Sequence, residues 1–150
     1  MSEVSAVPVR ESSRNGFGKR CMVLIAGPVE DPRSRRSVFN DLEWPVVRVP
    51  TCAAAARFAQ LRQPRVIVCD RDLPDGTWRD VLEMAASLDE RPPLIVTSRL
   101  ADDYLWAEVL NLGGYDVLAK PFDEREVRRS LALACRHISS SRGCHAAGMS

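Results

Sequence analysis

Residues 65–76, RVIVCDRDLPDG, carry the clearest structural signal in this chain. The continuous apolar run Val66–Cys69 is too short for an independent helix and too uninterrupted for a half-exposed strand, so it predicts a strand buried on both faces. Leu-Pro-Asp-Gly then predicts a turn, because proline fixes φ and glycine tolerates positive φ. Asp70 is thereby expected at the carboxyl end of a central parallel strand, where open α/β sheets bind their ligands. The alternative is a solvated aspartate that opens a loop.

The length and composition are those of a single globular domain. The chain has 150 residues, of which 45% are hydrophobic, enough to fill a core. Its 21 basic and 20 acidic residues leave a net charge of +1, so no overall field would attract nucleic acid or an anionic membrane. No window resembles a transmembrane helix or a signal peptide, and no C-x-x-C pair suggests a structural zinc site. These features predict a cytoplasmic protein that binds neither DNA nor a membrane.

Strand patterns alternate with helix patterns along the chain. Strands are predicted at residues 21–26, 46–49, 66–69, 94–97 and 115–119. Helices are predicted at residues 31–43, 52–62, 78–85, 101–112 and 124–138. Right-handed crossovers would assemble them into a doubly wound α/β fold, a five-stranded parallel sheet with helices on both faces. The expected domain covers residues 20–138, between a flexible arm at 1–19 and a disordered tail at 139–150.

Three polar groups follow three of the predicted strands. Asp70 ends the third strand, Thr97 and Ser98 end the fourth, and Lys120 follows the fifth. The carboxyl ends of parallel strands share one edge of a sheet, so a carboxylate, a hydroxyl and an ammonium are expected to converge there. Asp-x-x-Leu-Pro-Asp-Gly at 70–76, the hydroxyl residue, and Lys-Pro-Phe at 120–122, in this order, resemble the receiver domain of bacterial two-component response regulators. The resemblance covers about residues 21–138 and implies the flavodoxin-like receiver fold.

The resemblance also implies a phosphorylation switch. A histidine kinase or phosphotransfer protein would donate its phosphoryl group to Asp70, and Mg²⁺ would neutralise charge on the transferring oxygens. Lys120 would pair with the phosphoryl group, and a hydroxyl on the fourth strand would donate a hydrogen bond to it. Only one of Thr97 and Ser98 can face the acid, because successive strand residues point in opposite directions. Ser98 is preferred, since it lies 22 residues before Lys120 and five after Pro93, the family's usual spacing.

The sequence first differs from the family pattern directly after the first predicted strand. Receivers usually carry two adjacent acidic residues there, which hold Mg²⁺, whereas this chain has Ala26-Gly27-Pro28. Asp70 and the backbone carbonyl of Asp72 would then hold Mg²⁺ weakly or not at all. Glu30 or Asp31 would add a ligand only if its side chain extended over this edge of the sheet toward Asp70. The preferred interpretation is that these two residues begin the first helix, with Asp31 as its N-cap.

The second departure concerns the surface through which the protein would signal. Receivers often carry an aromatic residue three positions before the lysine, and that position is Val117 here. On the surface formed by the fourth helix, fifth strand and fifth helix, Trp106 is either an interface anchor or a brace of its own helix. Arg125 and its neighbouring arginines are either homodimer contacts or, as preferred, a solvated outer face.

Two functions remain open at this point. The first is a single-domain response regulator or phosphorelay carrier that accepts phosphate on Asp70 and signals to a downstream protein. The second is a pseudo-receiver, a protein-interaction module that is not phosphorylated. About a dozen residues follow the fifth helix, too few for a DNA-binding output domain. An enzyme that binds a flavin or nucleotide is disfavoured, because no G-x-G-x-x-G or Walker loop follows the first strand. The chain is therefore expected not to be an enzyme.

Overall fold

The computed structural model describes the backbone of residues 22–28, 39 and 44–148, and the side chains of these residues up to position 136. The predicted arm at 1–19 and the predicted first helix at 31–43, except Phe39, lie outside the described residues. Glu30 and Asp31 lie outside them as well.

The described elements follow one another as β1 (Val23–Ala26), β2 (Val46–Val49), α1 (Cys52–Arg62), β3 (Val66–Asp70), β4 (Asp72–Leu73), β5 (Gly76–Thr77), α2 (Trp78–Ala86), β6 (Leu94–Ser98), α3 (Asp103–Leu112), β7 (Asp116–Ala119) and α4 (Glu124–Gly148). Five of the strands form one parallel sheet in the order β2-β1-β3-β6-β7. The predicted doubly wound parallel sheet is confirmed, with β3 at its centre. The short strands β4 and β5 pair antiparallel beside it and were not predicted.

The two faces of β3 face two different helical layers. Ile67 and Cys69 belong to an apolar cluster with side chains of α1, α2 and α3. Val66 and Val68 belong to a second cluster, which contains Phe39 and side chains of α4. All residues of β3 are buried, because successive side chains point to opposite faces and both faces are covered. The continuous apolar run at 66–69 is the direct consequence of this central position.

Capping residues mark the start of α1 and both ends of α3. The side chain of Thr51 accepts a hydrogen bond from the Ala54 N–H at 3.0 Å at the start of α1. Asp102 caps α3 in the same way, accepting from the Leu105 N–H at 3.0 Å. Gly113 ends α3 in the left-handed region at φ 110°, as its position after the apolar pattern predicted.

The last helix is longer than the sequence pattern predicted. Asp123 caps it, accepting a hydrogen bond from a first-turn N–H at 2.9 Å. The helix was predicted to end near Ile138, with a disordered tail at 139–150, but the backbone stays helical to Gly148. The composition of this segment explains the longer helix. The segment contains no proline, and its one internal glycine, Gly143, costs only about 1 kcal/mol relative to alanine. No helix in the described part of the chain is both long and apolar enough to cross a membrane.

Asp75 connects the turn after β4 to the start of α1. Its two carboxylate oxygens accept hydrogen bonds from the N–H groups of Cys52 and Ala53, at 2.7 and 3.1 Å. These donors, with Cys52 contributing most, lower the pKa of the Asp75 carboxyl below its usual value. The sequence indicated only a turn residue here, because this contact joins positions far apart in the chain.

We expect Asp75→Asn to destabilise the protein at neutral pH and to have a smaller effect in acid. A carboxyl with a lowered folded-state pKa contributes stability above its unfolded-state pKa, and that contribution is lost as the pH falls through the folded-state pKa. Urea unfolding of the wild type and the variant, from neutral pH down through the folded-state pKa of Asp75, measures the difference in the free energy of unfolding. Asp89→Asn, on an exposed aspartate, is the matched control. If Asp75→Asn lowers the free energy of unfolding by the same amount at neutral and acidic pH, the charge at position 75 does not stabilise α1.

Candidate functional site

Asp70 lies at the carboxyl end of the central strand, at the rim of the sheet. It is the last residue of β3 and pairs in register with Thr97 of β6. Only 8% of its surface is exposed. A carboxylate this buried needs hydrogen-bond donors or a positive charge beside it.

Two donors contact the same oxygen of Asp70. The Thr97 hydroxyl donates to Oδ1 at 2.6 Å, and the Lys120 ammonium lies 2.9 Å from the same atom. The Lys120 side chain is 18% exposed, so the ion pair is largely shielded from solvent. Among the described residues, no hydrogen bond to Oδ2 is present. The predicted convergence of a carboxylate, a hydroxyl and an ammonium is therefore present in the structure.

Contacts before and after Lys120 fix the Lys-Pro-Phe segment, which carries the ammonium. Lys120 follows β7, and its backbone N–H donates to the Ser98 carbonyl at 3.0 Å. Its Nζ also lies 3.5 Å from the Pro28 carbonyl oxygen. The Phe122 ring packs edge-to-face against Phe39, with the ring centroids 5.6 Å apart. The strand before Lys120 and the aromatic contact after it anchor the segment to the sheet.

The hydroxyl that faces Asp70 belongs to Thr97 and not to Ser98. Ser98 Oγ instead accepts a hydrogen bond from the Leu100 N–H at 3.0 Å, within the turn after β6. In the unphosphorylated structure the preference for Ser98 as the residue that faces the acid is wrong, and the prediction that Ser98 contacts a bound phosphoryl group stays a prediction. The register of β6 against β3 places Thr97 beside Asp70, and the alternation of side chains turns Ser98 to the other face.

We expect Thr97→Val to reduce the free energy of unfolding by about 1.5–3 kcal/mol, because it removes a hydrogen bond to a carboxylate while keeping the side-chain shape. Ser98→Ala removes a bond between neutral groups and should cost only about 0.5–1.5 kcal/mol. Urea unfolding of both variants measures the comparison. A larger loss for Ser98→Ala would contradict the assignment of Thr97 as the partner of Asp70.

The position of the family's acidic pair is occupied by a glycine with no room for a side chain. Gly27 follows β1 with φ +92°, a conformation that side-chain-bearing residues rarely adopt. A Cβ added there would lie 2.5 Å from Leu73 Cδ2 and 3.6 Å from Asp70 Oδ2. Leu73 is a buried residue of β4. An apolar side chain therefore packs where a carboxylate at position 27 would have to project.

The metal ligands predicted beside Asp70 are the backbone carbonyl of Asp72 and the side chain of Glu30 or Asp31, and the contribution of the Asp72 carbonyl stays a prediction. The Asp72 side chain is 73% exposed and lies 3.9 Å from Arg71. Its backbone is in β4, paired with Thr77. No group of three histidine, cysteine or acidic side chains within the described ranges has a geometry that would hold a metal ion. Glu30 and Asp31 lie outside these ranges, so their predicted contribution stays a prediction. The described residues do not fit a carboxylate cage for Mg²⁺.

Of the residues predicted for the signalling surface, one lies in the core and two lie on the exterior of the protein. Val117 is buried in the same apolar cluster as Leu105 and Val109 of α3, so it adds no exposed area to the predicted signalling surface. It lies on the sheet face that α3 covers. Trp106, in contrast, is 46% exposed. Arg125 is exposed in the first turn of α4.

Leu73 and Gly27 are two positions beside Asp70 whose proximity the sequence does not predict. Both belong to segments that the motif analysis singled out, but only as a turn residue and as an absent carboxylate. Their contact joins two segments far apart in the chain, and no local pattern reports it. The positive φ of Gly27 also has no signature beyond the glycine itself.

A family model described as the response regulator receiver domain matches residues 32–132. The transcriptional regulatory protein CitB of Klebsiella pneumoniae is 32% identical over 91 residues, which are 59% of this chain and 38% of that protein. The chain thus spans well under half the length of this relative. The whole activity of CitB therefore does not transfer with the match.

Solved receiver domains share the fold. The signal receiver domain of a Luxo repressor protein from Vibrio parahaemolyticus has a TM-score of 0.71 at 24% identity, over 82% of this chain and 95% of that one. The receiver domain of sensor histidine kinase PA1611 from Pseudomonas aeruginosa PAO1 has a TM-score of 0.65 at 22% identity, over 77% and 98%. That protein was crystallised with a magnesium ion coordinated in its active site cleft. At these identities the similarity establishes the architecture and leaves the site chemistry to the residues themselves.

Proposed function

This chain belongs to the response regulator receiver family, and we propose that it accepts a phosphoryl group on Asp70 from a histidine kinase or a phosphotransfer protein. The observation that carries the proposal is the contact of Lys120 and Thr97 with a single oxygen of Asp70. A buried carboxylate with an ammonium and a hydroxyl at one oxygen suits a group that receives further negative charge. The conclusion rests on this geometry together with the family membership.

The transfer requires one bond to form and one to break. Oδ2 of Asp70, which has no hydrogen bond from the described residues, attacks phosphorus and forms a P–O bond. The bond from phosphorus to the donor's imidazole nitrogen breaks, and the imidazole keeps the electron pair and then takes up a proton. The product is an aspartyl phosphate, with three oxygens that are strong hydrogen-bond acceptors.

Lys120 and Thr97 are placed to respond to the product. The ammonium stabilises charge that develops on the phosphoryl oxygens, since electrostatic stabilisation by pre-placed groups dominates phosphoryl transfer. The Thr97 hydroxyl has to leave Oδ1 to donate to a phosphoryl oxygen. Its reorientation at the end of β6 would change the turn toward α3, where Ser98 already holds the Leu100 N–H. Phosphorylation would in this way bias the position of α3.

The surface that would transmit this change contains exposed apolar side chains of α3. Trp106 is 46% exposed, and Leu110, one helical turn later, is 37% exposed. Glu108, on another flank of the helix, forms an ion pair with Arg79 of α2. Apolar side chains that stay exposed next to each other are typical of a protein-contact surface. We assign to this surface the downstream protein partner or a second copy of the chain, with Arg125 as a charged contact.

Incubation of the full chain with acetyl phosphate, followed by intact-mass measurement, tests the proposal. The expected result is a mass increase of one phosphoryl group, accompanied by a change in tryptophan fluorescence. Beryllofluoride, which mimics a phosphoryl group, should produce the same fluorescence change. An unchanged mass and an unchanged fluorescence would favour the pseudo-receiver, a protein-interaction module. That alternative draws its support from Gly27, which places no carboxylate beside Asp70 where the family has its acidic pair.

A further inference from the structure

The rim of the sheet beside Asp70 is closed by apolar packing on the side where the acidic pair of the family would lie. A side chain at position 27 would come within 3.6 Å of Asp70 Oδ2, so this is the position from which a metal ligand would face the acceptor. Gly27 offers no side chain there, and Leu73 Cδ2 fills the space that a Cβ would need. Mg²⁺ prefers oxygen ligands in near-octahedral geometry, which a leucine methyl group does not supply.

Leu73 is held in this position by the hairpin that contains it. It pairs with Gly76, and its neighbour Asp72 pairs with Thr77. The hairpin is closed by the N–H of Trp78, the first residue of α2, which donates to the Arg71 carbonyl at 3.0 Å. The Leu73 side chain therefore belongs to an ordered strand anchored to a helix. Opening a metal position would require the Leu73 side chain to change its rotamer or the hairpin to move.

The positive charge that a metal would bring is already present in the Lys120 ammonium. Its Nζ lies 2.9 Å from Asp70 Oδ1 and 3.5 Å from the Pro28 carbonyl oxygen. The ammonium thus spans from the acceptor to the segment that stands in place of the acidic pair. A divalent cation at the same rim would find a single carboxylate side chain among the described residues around it.

We propose that Gly27 and Leu73 close the metal position beside Asp70, so that this site takes a phosphoryl group without a divalent cation and uses Lys120 as its counter-charge. The part that concerns phosphoryl transfer rests on the proposed function. The closure of the metal position is independent of that function and can be measured without it.

Titration of Mg²⁺ and Mn²⁺ onto the unphosphorylated full chain, followed by calorimetry and by tryptophan fluorescence, tests the closure directly. The expected result is no saturable binding that depends on Asp70. Saturable binding that disappears in Asp70→Asn would overturn the inference, including the case in which Glu30 or Asp31 supplies ligands. Binding that persists unchanged in Asp70→Asn would lie elsewhere and would agree with it.

A pair of variants tests the role of Leu73. Gly27→Asp with Leu73→Ala restores one carboxylate and removes the side chain in its way, and it should gain Mn²⁺ binding. Leu73→Ala alone should not gain it, because it supplies no ligand. If the double variant fails to fold, the wild-type titration still decides the question.

The rate of phosphorylation by acetyl phosphate, measured with Mg²⁺ and with EDTA, separates this inference from the proposed function. The same rate under both conditions supports a cation-independent site. A rate that rises several-fold with Mg²⁺ would overturn the inference and leave the proposed function standing. No phosphorylation under either condition would remove the proposed function, and the titration alone would then decide whether the metal position is closed.

Discussion

Asp70→Asn is expected to abolish phosphoryl uptake completely. The amide that replaces the carboxylate has no anionic oxygen with which to attack phosphorus, so no aspartyl phosphate can form at this position. The amide oxygen still accepts a hydrogen bond from Thr97, which lies 2.6 Å from the carboxylate in the wild type. The variant should therefore fold with the same architecture, and its loss of uptake should be a loss of chemistry.

Intact-mass measurement after incubation with acetyl phosphate checks this result, with circular dichroism as the test of folding. Asp72→Asn is the matched control, because Asp72 lies two positions away and its side chain is 73% exposed to solvent. Asp72→Asn should take up a phosphoryl group to the same extent as the wild type. A phosphoryl group that still appears on Asp70→Asn would place the acceptor elsewhere and contradict the proposed function.

Gly27→Ala is expected to lower the free energy of unfolding by about 2–6 kcal/mol. Two effects add at this position. A side chain at φ +92° is strained, which costs about 1–3 kcal/mol, and its Cβ would overlap Leu73, which costs about 1–3 kcal/mol more. The total is a large part of the 5–15 kcal/mol that stabilises a typical domain. Urea unfolding with linear extrapolation measures it.

Gly113→Ala separates the two effects. Gly113 also has a positive φ, +110°, but a Cβ there meets nothing within 4 Å, so its substitution carries the backbone strain alone. Leu73→Ala, combined with Gly27→Ala in a double-mutant cycle, should recover the packing part of the loss. A Gly27→Ala penalty no larger than that of Gly113→Ala would show that Leu73 does not occupy the space beside Asp70.

The fold was predictable to the extent that its signals are local. The bounds of β2 and α1 agree with the predicted 46–49 and 52–62, because a proline-bracketed apolar run and a threonine cap are read directly from neighbouring residues. The hairpin of β4 and β5 was missed, since two-residue strands are too short to show a periodicity. The extension of α4 was missed because its last turns lack an apolar pattern.

The sequence by itself determined the order along the chain of the five strands of the parallel sheet and the meeting of Asp70 with Lys120. The buried run before Asp70 and the strand before Lys120 are sufficient for that, because parallel strands bring their carboxyl ends to the same edge. Only the tertiary structure decided that Thr97 faces the acid and that Leu73 lies against Gly27. These contacts depend on the register between strands and on packing between distant segments, which residues adjacent in the chain do not specify.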